Sequence, residues 1–210
     1  TVAITTRFPR SAAKAYSNEA DFDNWSSRLT IFGVDFRHIP SVMKFIDAFK
    51  RNFNKLHIII NNAAQTVRRP PAYYSKLFKS EKQQSQMLLE GKLPLSTAKV
   101  VSNFASPIQQ RALETLQQKS DTNACDSMET DIPKSSNIAS LSSSLSQIPL
   151  LPTDIISKYE ASTLFPKGDV DDHGEQSDLR HSTSWNSSLS SVHFIELIET
   201  QTINSTVPFI

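Results

Sequence analysis

Over its first third the chain switches repeatedly between the two-residue period of a strand and the 3.6-residue period of a helix. TVAITT at 1–6 is β-branched and apolar and predicts a short strand. Positions 11–29 are compatible with a helix, with Ala12, Ala13, Ala15, Phe22, Trp25 and Leu29 as core candidates. LTIFGVDF at 29–36 predicts a second strand. Pro40-Ser41 then opens a helix. Ser41 is its expected cap, Val42, Phe45, Ile46, Phe49 and Phe53 form its apolar stripe, and Lys44, Asp47, Lys50 and Arg51 lie off that stripe. LHIIIN at 56–61 predicts a third strand. Strand, helix, strand, helix, strand with short connections implies an α/β fold with a parallel sheet and helices on its faces.

From residue 80 to 185 the texture changes. Serine and glutamine accumulate, aromatic residues thin out, and periodicity survives only in patches such as 107–118. Ordinary connections run to roughly 4–6 residues, so this stretch predicts a low-complexity, largely disordered insertion holding one helix at most. Order is expected to return after Trp185. Phe194, Ile195, Leu197, Ile198 and Ile203 make an apolar face beside Glu196, Glu199 and Gln201, which predicts a helix over 193–207.

Composition narrows the field. With 22 basic and 21 acidic residues the formal net charge is +1, so no global field points to nucleic acid or to a membrane surface. No apolar run is long enough to span a bilayer and no export signal is recognisable, so a cytoplasmic location is expected. The lone Cys125 has no disulfide partner and no metal-type spacing. The sequons at Asn24, Asn186 and Asn204 read as chance in that compartment. TVAITT at the start and VPFI at the end both read as cuts through a domain, so a fragment is expected.

Why should a buried strand end on two amides and two of the smallest side chains? Asn61-Asn62-Ala63-Ala64 after LHIII resembles the NNAG motif of the short-chain dehydrogenase/reductase family. INNAAQTVRRPPAYY, LFPKG, EQSDLR and TSW resemble a divergent subgroup of those oxidoreductases that carries an insertion at the same place. The resemblance covers 1–79 and about 165–210 well and the middle poorly. It implies a partial Rossmann-type, doubly wound parallel sheet. Residues 1–79 would form a partial dinucleotide-binding segment, 80–185 the insertion, and 186–210 a return to the Rossmann domain.

By the same resemblance Asn61 and Asn62 would tie down strand ends, while Ala63 and Ala64 let the adenosine side of a cofactor lie against bare backbone. Ala64 stands where the family has glycine. Arg7, helped by Arg10, falls where a basic residue accommodates the 2′-phosphate of NADP, which is favoured over NAD. Asp35 would contact the adenine ring, and Asn204 would hold a water in the proton relay. The complete enzyme would move hydride between the nicotinamide and a small carbonyl or alcohol substrate.

The departures are as informative. The glycines, at 33, 91, 168 and 174, give no GxxxGxG spacing, and no lysine follows a tyrosine by four positions. The lysine of such a pair lowers the tyrosine's pKa so that it works as general acid/base. The expected catalytic serine, tyrosine and lysine are therefore missing, and the segment itself is expected to be inactive. The competing reading is a non-enzymatic interaction protein with a degenerate Rossmann half, presenting the insertion and Pro70-Pro71-Ala72-Tyr73, a PPxY pattern of the kind WW domains bind. Asp169–Glu175 looks like a calcium loop, but Arg180 occupies the twelfth position where a glutamate is required, so a solvated acidic loop is expected. His173 and His181 have no fixed-spacing partner for zinc. Three strands leave apolar sheet faces uncovered, so the chain by itself is expected to be poorly stable. A cooperative thermal transition that NADP shifts upward would contradict this.

Overall fold

The computed structural model describes residues 1–89, 99–102, 140–172 and 174–210. The chain divides into two units, the first of residues 1–35 and 76–148, the second of 36–75 and 149–210. Cys125, His173 and the helical patch at 107–118 lie outside the described residues.

The first unit is a small α/β assembly. Strands β1 (Val2–Thr6) and β2 (Leu29–Gly33) pair in parallel, and β3 (Lys99–Val101) adds to the other side of β2. The β1–β2 register runs from Val2 opposite Leu29 to Thr6 opposite Gly33. All five residues of β2 are buried, as a central parallel strand requires. Helix α1 (Pro9–Tyr16) makes the crossover, and the short α2 (Phe22–Trp25) follows it. One helix over 11–29 was expected. Two short pieces form instead, because the polar Ser17–Asp21 stretch between them lacks an apolar face to bury. Ala13, Phe22, Leu29 and Ile31 make the core, with Ile4, Tyr16, Trp25 and Val100 packed against it. Trp25 meets Phe22 and Tyr16 edge-on at 5.1 and 6.0 Å, the geometry that aromatic quadrupoles prefer.

The serine-rich run inside the expected disordered insertion is a folded part of this unit. Ser140 caps helix α5 (Leu141–Leu145), its side chain accepting from the Ser143 N–H. Ser142, Ser143 and Ser146 are fully buried, and Ser142 donates to the Arg7 carbonyl at 2.8 Å. A composition read as low complexity is here a close-packing device. A Cβ built on Gly33 would come within 2.9 Å of Pro9 Cγ and 3.0 Å of Ser142 Oγ, so only small side chains fit around the end of β2.

Helix α4 (Pro71–Leu89) starts in the second unit and continues in the first. The second unit is otherwise built from α3 (Ile39–Asn52), α6 (Lys158–Leu164), α7 (Phe194–Gln201) and connecting segments. His38 occupies the N-cap position of α3, while Ser41, the expected cap, sits in its first turn bonded to His38 Nδ1 at 2.6 Å. Phe45, Phe49 and Phe53 stack along the helix at 6.1 and 4.7 Å, and Lys50 and Arg51 complement its last turn.

The third strand is the main correction. Residues 56–61 form no strand, and the third place in the sheet belongs to β3. Leu56, Ile58, Ile59 and Ile60 are 58–77% exposed. β-propensity alone cannot hold a strand; it needs a neighbour to accept its N–H and C=O groups, and among the described residues this run has none. Gly33→Ala is expected to cost about 1–3 kcal/mol, since Pro9 and Ser142 must shift to admit one methyl group. Urea unfolding of wild type and variant checks this, and equal midpoints would mean that the end of β2 is loosely packed.

Candidate functional site

In the first unit the expected nucleotide residues leave the sheet together. Val34 N–H donates to the Thr6 carbonyl at 2.9 Å, carrying the β1–β2 ladder one step past Gly33. Arg7 and Asp35 therefore follow the carboxyl ends of two adjacent parallel strands. In open α/β sheets that edge is where ligands bind. The Arg7 guanidinium lies 5.9 Å from the centre of the Phe8 ring. Asp35 is 1% exposed, an interior carboxylate rather than an open one.

Arg10 is part of an arrangement that sequence patterning does not reveal. Helix α1 begins at Pro9 with no side-chain cap, so its first N–H groups need another acceptor. Glu81, far along the chain on α4, supplies it: its two carboxylate oxygens accept from the Arg10 and Ser11 N–H groups at 2.9 Å each. Glu81 is fully buried, and burial pushes its pKa up against the opposing pull of those two N–H groups. In sequence Glu81 is one charge among Ser80, Lys82 and Gln83 on a helix, which carries no sign of burial.

The second unit holds the remaining predicted residues. Asn61, Asn62, Ala63 and Ala64 are all exposed, in a segment without regular structure. They close no strand here, since the run before them lies outside the sheet. Gln65, next in the chain, is tied to Asn204 by a reciprocal pair: Gln65 N–H donates to Asn204 Oδ1 at 2.7 Å, and Asn204 Nδ2 donates to the Gln65 carbonyl at 3.0 Å. Asn204 lies in a π-turn, Thr202–Thr206, that follows α7. The helix expected over 193–207 thus changes its winding after Gln201, and π-turns within helices are frequent at functional sites.

The strongest polar constellation of this unit centres on Arg68. Its guanidinium pairs bidentately with Asp154, Nη1 to Oδ1 and Nη2 to Oδ2, both at 2.6 Å. Its Nε donates to Glu199 Oε2 at 2.9 Å, and Arg37 reaches the other Glu199 oxygen at 3.7 Å. Arg68, Asp154 and Glu199 are all buried. Burial alone would lower the Arg68 pKa, but the two carboxylates outweigh it and raise the net value. Burial alone would likewise raise Asp154. The Arg68 hydrogen bonds and the Leu150 and Leu151 N–H groups prevail and hold its carboxyl below the ordinary value of 3.8.

This network reverses the expected face of α7. Glu199 points inside, while Phe194, Leu197 and Ile198, read from sequence as an apolar face to be buried, are exposed. Helical periodicity marks two faces but does not say which one meets a buried cation.

The remaining motifs resolve simply. Pro71 to Tyr73 are helical, and Tyr73 is buried against Phe165 at 5.5 Å, edge to face. The PPxY pattern is thus neither extended nor open, as polyproline II docking requires. Burial pushes the Tyr73 pKa up to about 12, with the Arg69 guanidinium, 4.3 Å from its ring centre, pulling the other way. The acidic loop is a turn closed by a Val170–Gln176 bridge, with Gly174 at φ 76° and Glu175 N–H bonded to Asp171 Oδ1 at 2.9 Å. Among the described residues no cluster of histidine, cysteine and acidic side chains could hold a metal ion. No described helix is long and apolar enough to cross a membrane.

Asp154→Asn strands the buried Arg68 charge and is expected to cost about 3–5 kcal/mol. The Asp154 pKa is depressed in the folded state. Its contribution is therefore fully present above the ordinary value of 3.8 and is lost as pH falls through the lower folded value. Stability of wild type and Asp154→Asn measured from pH 7 to pH 2 should differ most at neutral pH and converge in acid. A gap that stays constant would mean that Asp154 contributes packing rather than charge.

The chain matches no protein-family model, no curated protein and no solved structure.

Proposed function

We propose that this chain is the nucleotide-binding part of an NADP-dependent oxidoreductase of the short-chain dehydrogenase/reductase type. On this reading the whole enzyme passes hydride between the nicotinamide and a small carbonyl or alcohol, and this chain supplies adenosine binding. The observation that carries the proposal is the placement of Arg7 and Asp35 at the carboxyl ends of two parallel, directly paired strands joined by a helical crossover. Arg7 has the charge to meet a 2′-phosphate, with Arg10 three residues on as its helper.

Asn204 supports the same reading from the second unit. Its side chain closes a two-way hydrogen bond to the residue that follows the Asn61–Ala64 motif, and it does so from a π-turn. In this role Asn204 positions a water for proton relay, while Asn61 to Ala64 give the nucleotide a side-chain-poor backbone. The arrangement includes a cost. Asp35 is enclosed, so a nucleotide must displace some of the packing around it to reach its carboxylate. An interaction protein that presents PPAY is the weaker reading, because Tyr73 is buried inside a helix.

Calorimetric titration of the full chain with 2′,5′-ADP and with 5′-AMP tests the proposal. The 2′-phosphate ligand is expected to bind about tenfold or more tightly, and Arg7→Glu should erase that preference while leaving 5′-AMP unchanged. Lack of binding by either nucleotide would end the oxidoreductase reading. Equal binding of both would move the cofactor to NAD.

A further inference from the structure

We propose that Glu81 and Ser142 are positioning residues for the 2′-phosphate, each fixing the backbone from which one of the two arginines departs. The inference rests on the reading of Arg7 and Arg10 as the phosphate clamp and names what holds that clamp in place. Arg7, Arg10, Glu81 and Ser142 all belong to the first unit.

A guanidinium at the end of a long side chain is only as well placed as the backbone that carries it. Arg10 departs from the first turn of α1, and helix ends fray. With eight residues α1 is too short to be stable through its own hydrogen bonds, and it has no side-chain cap of its own. The donors at its start can be followed one by one. Phe8 N–H donates to Thr6 Oγ1 at 3.2 Å, Pro9 has no N–H, and Ala12 N–H closes the first turn on the Phe8 carbonyl at 3.0 Å. The N–H groups of Arg10 and Ser11 remain, and both donate to Glu81, one to each carboxylate oxygen. Glu81 therefore completes the turn that roots Arg10.

Arg7 is held in the same manner by another element. It lies just past the paired residues of β1, and its carbonyl accepts from Ser142 Oγ on α5 at 2.8 Å. Glu81 and Ser142 are both buried, so water does not compete for either contact. A local serine or aspartate would cap α1 at far smaller cost than a distant buried carboxylate. What the distant groups add is placement. They tie the two arginine roots to α4 and α5, so the spacing of the charges is set by packed helices. Fixed roots leave less freedom to lose when a phosphate binds, and that advantage goes to a ligand the arginines touch.

Calorimetric titration of the full chain, wild type, Glu81→Asp and Ser142→Ala, with 2′,5′-ADP and 5′-AMP tests this. Glu81→Asp keeps a carboxylate but shortens its reach by one methylene, so it cannot meet both N–H groups with α4 in place. Ser142→Ala removes the hydroxyl with little change in volume. Each should lower the preference for 2′,5′-ADP about fivefold or more, while 5′-AMP affinity stays within about twofold. Lys82→Gln, exposed on the same helix, should change neither affinity. Far-UV circular dichroism establishes that each variant is folded, and Ser142→Ala carries the test by itself if Glu81→Asp is not. A folded variant that keeps the wild-type preference overturns the proposal and leaves the clamp intact. So does one that weakens both ligands equally, as a purely structural contact would. A wild type that binds both ligands equally, or neither, removes the clamp itself and the proposal with it.

Discussion

A guanidinium taken out of water must be matched by carboxylates or the fold pays several kcal/mol, and Arg68 imposes that condition on the whole second unit. Its five N–H groups demand acceptors in one plane. The chain meets the demand by bringing Asp154 from 86 residues and Glu199 from 131 residues further along. Once those partners are fixed, much else follows. The segment at 150–154 must turn so that Asp154 faces inward, and its Leu150 and Leu151 N–H groups then close on the same carboxylate. Helix α7 must present Glu199 to the interior, which turns Phe194, Leu197 and Ile198 outward. The backbone around Arg68 is fixed as well: its N–H donates to Ser184 and its carbonyl accepts from Arg180. A polar network of this kind specifies one arrangement more sharply than apolar packing could, because every misplacement leaves a charge unpaired.

The first unit reaches the same end with less charge. There the constraint is the close approach of α5 and α1 to the carboxyl end of β2, and small side chains satisfy it. Glu81 performs for α1 what a local serine or aspartate does for most helices. The distant carboxylate costs more to bury than a local hydroxyl and in return fastens α4 to the helix that follows β1.

What could be read from the sequence follows from how local the cause is. The β1–α1–β2 crossover and α3 were legible because their signals, β-branched runs and a 3.6-residue stripe, are carried by the segments themselves. β1, β2 and α3 fall within a few residues of the expected bounds. LHIIIN carried an equally strong local signal and still forms no strand, because a strand is completed by its neighbour. The serine run failed in the opposite direction. Its composition resembles a disordered linker, yet the same small side chains are what a crowded strand end admits. Arg68, Glu81 and Glu199 were not legible at all, since a buried charge looks like any other charge until its hydrogen-bond partners, here 70 to 131 residues away, are known. Of the candidate site, Arg7 and Asp35 each follow the carboxyl end of one of two paired parallel strands. The Asn61–Ala64 corner, expected against the sheet, is instead in the open.

That exposed corner and the nucleotide reading are compatible on one physical condition. Bare backbone next to small side chains serves a cofactor only if the strand leading to it is held, since an unfixed loop must be ordered at the moment of binding. Gln65 and Asn204 already fix the far side of the corner through two hydrogen bonds. The near side, 56–60, makes no backbone hydrogen bond to any described residue. A neighbour for 56–60 would order both flanks of Asn61–Ala64 at once and bury the isoleucines that now face water.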